Sequence, residues 1–166
     1  MFYPARVRLA VIVASLALVA AASAELPQEG TFVPGRSLGG VRLGMTATDV
    51  KRVWGERFGR CRNCGHTTWY FTHTPFEPQG AGVELRRGRV VAVFTLWSPS
   101  WHTNRDLWIG EPSARITKLY GALPRTTCGA YSALTMPGKR ATTSFYVSDE
   151  KVWGFGLSAP GVSVCR

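Results

Sequence analysis

Residues 41–55 and 107–121 are built alike at an offset of 66 positions, so one phrase is used twice. Each copy has an apolar residue followed by Gly (Leu43-Gly44, Ile109-Gly110), a turn, a short apolar-periodic run and a closing Gly (Gly55, Gly121). Apolar side chains at i, i+3 and i+4 mark a helix that buries one face, and Gly just past the run ends it. In the first copy Thr46 is the N-cap, Asp49 three positions on completes a capping box, and Val50, Val53 and Trp54 share a face. In the second, Ile116, Leu119 and Tyr120 take those places and Pro112 sits in the first turn. A doubled phrase predicts a chain of two matching units.

Strand-like text follows each helix. Thr67–His73 is rich in Thr and aromatics, and Gly82–Arg86 turns through Arg87-Gly88 into Val90–Trp97. The second copy offers Ala130–Thr135, then Thr142–Val147 turning at Ser148-Asp149-Glu150 into Val152–Leu157. The predicted fold class is therefore α+β: two tandem helix-plus-antiparallel-strand repeats forming one continuous sheet, with the helices packed on one face. The expected organisation is a signal peptide at 1–24, an extended leader at 25–40, repeat 1 at 41–100, a linker at 101–106 and repeat 2 at 107–166.

The N-terminal reading rests on Arg6 and Arg8, an apolar run from Leu9 to Ala22, and Ala22-Ser23-Ala24 before Glu25. That order of charge, apolar run and small-residue site is a secretory signal, with cleavage near Ala24 and no membrane span after processing. Export favours disulfides among the four cysteines, and pairing Cys61 with Cys64 and Cys128 with Cys165 keeps each bridge within one repeat. Without Arg6 and Arg8 the chain keeps 18 of its 20 Lys and Arg against 10 Asp and Glu, a net charge of +8. These charges are scattered along the sequence, with the densest cluster, Arg86, Arg87 and Arg89, at a tight turn. Such a surface suits anionic surface polymers, while export and the lack of a recognised motif argue against nucleic acid.

The two last hairpin strands differ between copies. Alternation assigns Val91, Val93, Thr95 and Trp97, with Trp153, Phe155 and Leu157, to the face under the helices. The other face carries Val90, Ala92, Phe94 and Leu96 in one copy, but Val152, Gly154, Gly156 and Ser158 in the other. An apolar step beside a bare groove is a docking site for a partner protein. The expected binding residues are Phe94, Leu96, Gly154 and Gly156, with Tyr70 and Trp101 as exposed aromatic anchors.

The doubled helix phrase in an exported chain, with Leu43-Gly44-Met45-Thr46 opening the first copy, resembles the β-lactamase inhibitor protein superfamily. Single copies are similar to the small outer-membrane assembly lipoproteins of the SmpA/OmlA type. The resemblance covers roughly residues 38–158 and implies a protein that binds other proteins across a concave sheet. It does not imply β-lactamase inhibition, since no inhibitor contact loop maps onto the chain.

Chemistry is sparsely represented. Cys61-Arg-Asn-Cys64 is a CxxC, but strand text follows it where a redox site would need a helix. Cys61, Cys64, His66 and His73 include zinc-ligand types, at a spacing that matches no common site. His102 stands in the linker with Ser100 and Asp106 nearby, and nothing marks a nucleophile elbow or an oxyanion hole. The expectation is a non-enzymatic secreted module with no catalytic residue, metal or cofactor, whose partner is an extracellular or envelope protein. The alternatives are a thiol-disulfide or metal-binding factor using Cys61 and Cys64, and a basic protein adhering to the cell wall.

Overall fold

The structure, a computed structural model, describes residues 25–61, 67–72 and 80–166. The segment 1–24, expected as a signal peptide, and Cys64, His66 and His73 lie outside them. Among the described residues, strands dominate: β1 (Gly30–Val33), β2 (Ser37–Leu38), α1 (Ala47–Trp54), β3 (Gly59–Arg60), β4 (Thr67–Thr72), β5 (Gly80–Arg86), β6 (Arg89–Leu96) and β7 (Trp101–Thr103) come first. Then follow α2 (Ala114–Tyr120), β8 (Arg125–Cys128), β9 (Tyr131–Met136), β10 (Thr142–Ser148) and β11 (Lys151–Ser158).

Eight of the strands form one antiparallel sheet in the order β3-β4-β5-β6-β11-β10-β9-β8. Its two edges are a two-residue strand and the exposed, polar Arg125–Cys128, which offer little to an added strand. The other three strands form a second sheet, β2-β1-β7, in which β1 runs parallel to β7.

This arrangement corrects the predicted α+β pair of repeats: the protein is mostly β, and two self-contained helix-strand units are not what it shows. The leader and the linker, read as connections, supply β1, β2 and β7 and are hydrogen-bonded to each other, with Gly30 opposite Trp101. β3 and β8 were hidden in the cysteine loops. Runs of two to four residues carry too little alternation to be seen in sequence.

One face of the large sheet holds the main core. Phe32 of β1 stacks on Phe155 of β11 at 5.2 Å and meets Phe145 of β10 edge-on. The helices flank this contact: Trp54 of α1 lies edge-on to Phe71 of β4, and Tyr120 of α2 tilts over Phe145. Trp101, expected as an exposed anchor, is 0% exposed; its ring fills the space over Gly30 and Gly39 and meets Trp54 edge-on.

Two β-bulges correct the assignment of faces. In the β5–β6 hairpin Glu84 pairs with Ala92 but Leu85 with Val90, which leaves Val91 without a partner. In the β10–β11 hairpin Tyr146 pairs with Gly154 but Val147 with Val152, which leaves Trp153 over. An extra residue reverses the alternation beyond it. Val90 and Val152 accordingly join the main core, while Trp153 packs with the cluster on the opposite face.

Candidate functional site

On the opposite face, where Gly154 and Gly156 predict a groove, the structure brings Tyr70, Phe94, Leu96 and both glycines together. Pairing sets Gly156 beside Phe94, and Gly154 beside Leu96. The groove is not open. A Cβ on Gly156 would collide with the Tyr146 hydroxyl, one on Gly154 with the Thr95 carbonyl, and one on Gly82 with the ring of Phe94. Over Gly156 and Gly82 a ring from the neighbouring strand lies down, while Gly154 is closed by the backbone and Leu96 of β6.

Residues 159–166 then cover what remains. The Tyr146 hydroxyl donates to the Val164 carbonyl at 3.0 Å, and the Ser158 hydroxyl to the Ser163 carbonyl at 3.0 Å. Tyr131 holds both backbone polar groups of Arg166, donating to its carbonyl oxygen and accepting from its N–H. The Arg166 side chain is 2% exposed, pairs with Glu84 at 3.3 Å, donates to the Ser158 hydroxyl and lies over Phe94. Cys165 is bonded to Cys128 of β8, which fixes the segment at the edge of the sheet. Complete burial holds the Tyr146 proton far above the ordinary phenol range, against the opposing charge of Arg166, so this hydroxyl remains a donor.

Tyr70 is 42% exposed at the margin of this face, edge-on to Phe94. Partial burial, and after it the Glu84 carboxylate, raise its pKa. Among the residues weighed for chemistry, Cys61 is disulfide-bonded. His102 donates from Nδ1 to the Thr103 carbonyl and stacks on Trp108 at 4.3 Å. No group of metal-binding side chains occurs among the described residues.

A second site was missed in the sequence. Trp97, assigned to the face under the helices, is instead 54% exposed, the most open large apolar side chain among the described residues. It closes β6 in the left-handed region, at φ 55°, a conformation costly for a bulky residue, and its N–H donates to the Trp153 carbonyl at 2.8 Å. Beside it opens a cleft of about 540 Å³ at the end of the sheet, floored by Ile109, Val152 and Trp153 and rimmed by Pro99, Asp149 and Lys151. The Gly110 N–H donates to the Val152 carbonyl and the Val152 N–H to the Glu111 carbonyl, so the cleft has a rigid floor. The signal was present: an aromatic directly before Ser98-Pro99 stands where the strand has already ended.

These features define a class: an eight-stranded antiparallel sheet, one face covered by two short helices and a small sheet, the other by the chain's own closing segment. Solved structures resemble this chain in fold. An extracellular protein containing an SCP domain from Bacillus anthracis superposes with a TM-score of 0.53 at 13% identity, over 71% of this chain and 44% of its own. The DUF4309 family protein YjgB of Bacillus subtilis gives 0.52 at 17% identity, over 69% and 78%. A cysteine-rich secretory protein of Staphylococcus aureus gives 0.52 at 16% identity, over 83% and 49%. The chain therefore spans less than half the length of the first and third, and the likeness is one of fold. No protein-family model matches the chain, and no curated protein matches it in sequence. The resemblance to the β-lactamase inhibitor proteins and the SmpA/OmlA lipoproteins is corrected accordingly: the structural likenesses lie with SCP-containing and DUF4309 proteins.

Proposed function

We propose that this protein is a secreted, non-enzymatic protein-binding module acting at the cell envelope or outside the cell, and that it meets its partner at the Trp97 cleft. The observation that carries the reading is Trp97 itself, a large aromatic held in the open by a strained backbone and a fixed hydrogen bond. Tryptophan is enriched among the residues that dominate protein interfaces, and a rigid one loses little entropy on docking. Proline, an isoleucine floor and one charge of each sign at the rim give the mixed lining of such surfaces.

Secretion is supported by Arg6, Arg8, the Leu9–Ala22 run and Ala22-Ser23-Ala24, and by the extracellular and secretory descriptions of two proteins sharing the fold. No described helix is long and apolar enough to cross a membrane. The disulfide at Cys61 supports a scaffold role for that cysteine over a thiolate ligand or nucleophile.

The test is site-directed photocrosslinking on the native cell surface, with the probe at position 99 or 149 of the protein lacking residues 1–24. A discrete crosslinked protein is expected, lost in Trp97→Ala while the melting curve stays unchanged. Equal crosslinking by the wild type and Trp97→Ala would overturn the cleft as the contact surface.

A further inference from the structure

The cations that look scattered in sequence are gathered by the topology. The β5–β6 turn, with Arg87 and Gly88 both at positive φ, presents Arg86, Arg87 and Arg89. The β9–β10 connection, carrying Lys139 and Arg140, opens at the same end of the sheet, because β10 begins opposite the end of β11 and Ser158 of β11 pairs with Ala92 near the start of β6. Two further loops arrive there. Gly44 donates to the Val90 carbonyl and brings Arg42, while Gly35 donates to the Thr143 hydroxyl and brings Arg36.

All of these side chains are exposed, and residues 34–36, 41–45, 86–89 and 137–141 contain no carboxylate. The nearest acids in sequence are both engaged, Glu84 by Arg166 and Asp49 by Thr46 and Arg52. The opposite end is different: its hairpin turn is Asp149-Glu150, also at positive φ, and the Trp97 cleft lies there. The eight residues of β6 separate the two ends by roughly 25 Å.

We infer that this basic end is a docking surface for a linear polymer with phosphates along its backbone and no bases, held by charge alone, with the Trp97 cleft pointing away from it. The two basic turns stand about three strand spacings apart, roughly 14 Å, so a single extended chain can lie across both. A polymer fits better than a bilayer, because Trp97 and Trp108 both belong to the far end and the basic end offers no exposed large apolar side chain among the described residues. Nucleic acid fits less well for the same reason: single strands are gripped by stacking bases on aromatic rings, and none is exposed here among the described residues.

The experiment measures binding of the protein lacking residues 1–24 to long-chain inorganic polyphosphate across a salt series. One variant carries Arg42→Gln, Arg87→Asn, Lys139→Gln and Arg140→Gln; its control carries Arg57→Gln, Lys118→Gln, Arg125→Gln and Lys151→Gln, the same charge loss elsewhere. The first is expected to bind at least 10-fold more weakly and to flatten the slope of log K against log salt by about 3, near one counterion per removed cation. The control is expected to stay within about 3-fold of the wild type at moderate salt, where distant charges are screened. Equal losses in both variants would reduce the effect to net charge and overturn the site. Tighter binding to phosphatidylglycerol vesicles, or to single-stranded oligothymidine, would overturn it in favour of a membrane or a nucleic acid.

Discussion

The two faces of the large sheet are closed by different means. Under the helices, Phe32, Phe145, Phe155, Trp54 and Trp101 interlock in a continuous apolar core with almost no charge. On the far face the apolar cluster is small, centred on Phe94, Ala133 and Tyr146, and residues 159–166 close it with one disulfide, one buried ion pair and three tyrosine-held hydrogen bonds. The first closure is broad, non-directional and cooperative. The second is made of a few directional contacts, each separately removable. A single chain thus has a face that defines its fold and a face that a short segment could uncover.

The sharpest way to break this contrast is to attack the core. Phe155→Ala removes the ring that stacks on Phe32 and meets Phe145 edge-on, and it should cost about 3–5 kcal/mol in urea unfolding. Both sheets should lose hydrogen-exchange protection together. If β1 and β2 alone became exchangeable, the small sheet would be an accessory layer and the idea of one core would fail.

Next in size is the disulfide. Cys128→Ala with Cys165→Ala opens a crosslink spanning 37 positions, for which loop entropy gives about 4 kcal/mol at most. The loss should fall first on residues 159–166, seen as rapid exchange there while β6 and β11 stay protected. Simultaneous loss on both faces would show the far face to be as cooperative as the near one.

How much of this was legible follows from which forces leave a local trace. β4, β5, β6, β9, β10 and β11 lie close to where alternation and turn residues place them, and the Thr46 capping box forms as Thr46-x-x-Asp49 predicts. Pairing between distant segments leaves none: nothing near Gly30 announces Trp101 as its neighbour in a parallel pair. The bulges at Val91 and Trp153 are equally silent, and each turns a correct strand into a wrong face assignment. The groove inferred from Gly154 and Gly156 was a real consequence of small residues, misread because what fills it, the Tyr146 ring at Gly156 and the Thr95 carbonyl and Leu96 at Gly154, belongs to β10 and to β6. Arg166 could not be placed at all, since a lone arginine in sequence looks solvated and its partner Glu84 lies on β5.

The smallest of these effects isolates that ion pair. Glu84→Gln keeps the shape and one acceptor but leaves the Arg166 guanidinium, 2% exposed, without a countercharge. A buried charge cannot stay unpaired cheaply, yet this one keeps the Ser158 hydroxyl as acceptor and the Phe94 ring beneath it. The cost should therefore be that of losing a charge-assisted hydrogen bond, about 1.5–3 kcal/mol. It should appear as faster exchange at residues 163–166, little changed by salt because the pair is shielded from mobile ions. The Phe32–Phe155 side of the sheet should not register the substitution. Unaltered exchange at 163–166 would mean that Tyr131, Tyr146 and the disulfide hold the segment without the charge pair, and the far face would then differ from the near one only in size.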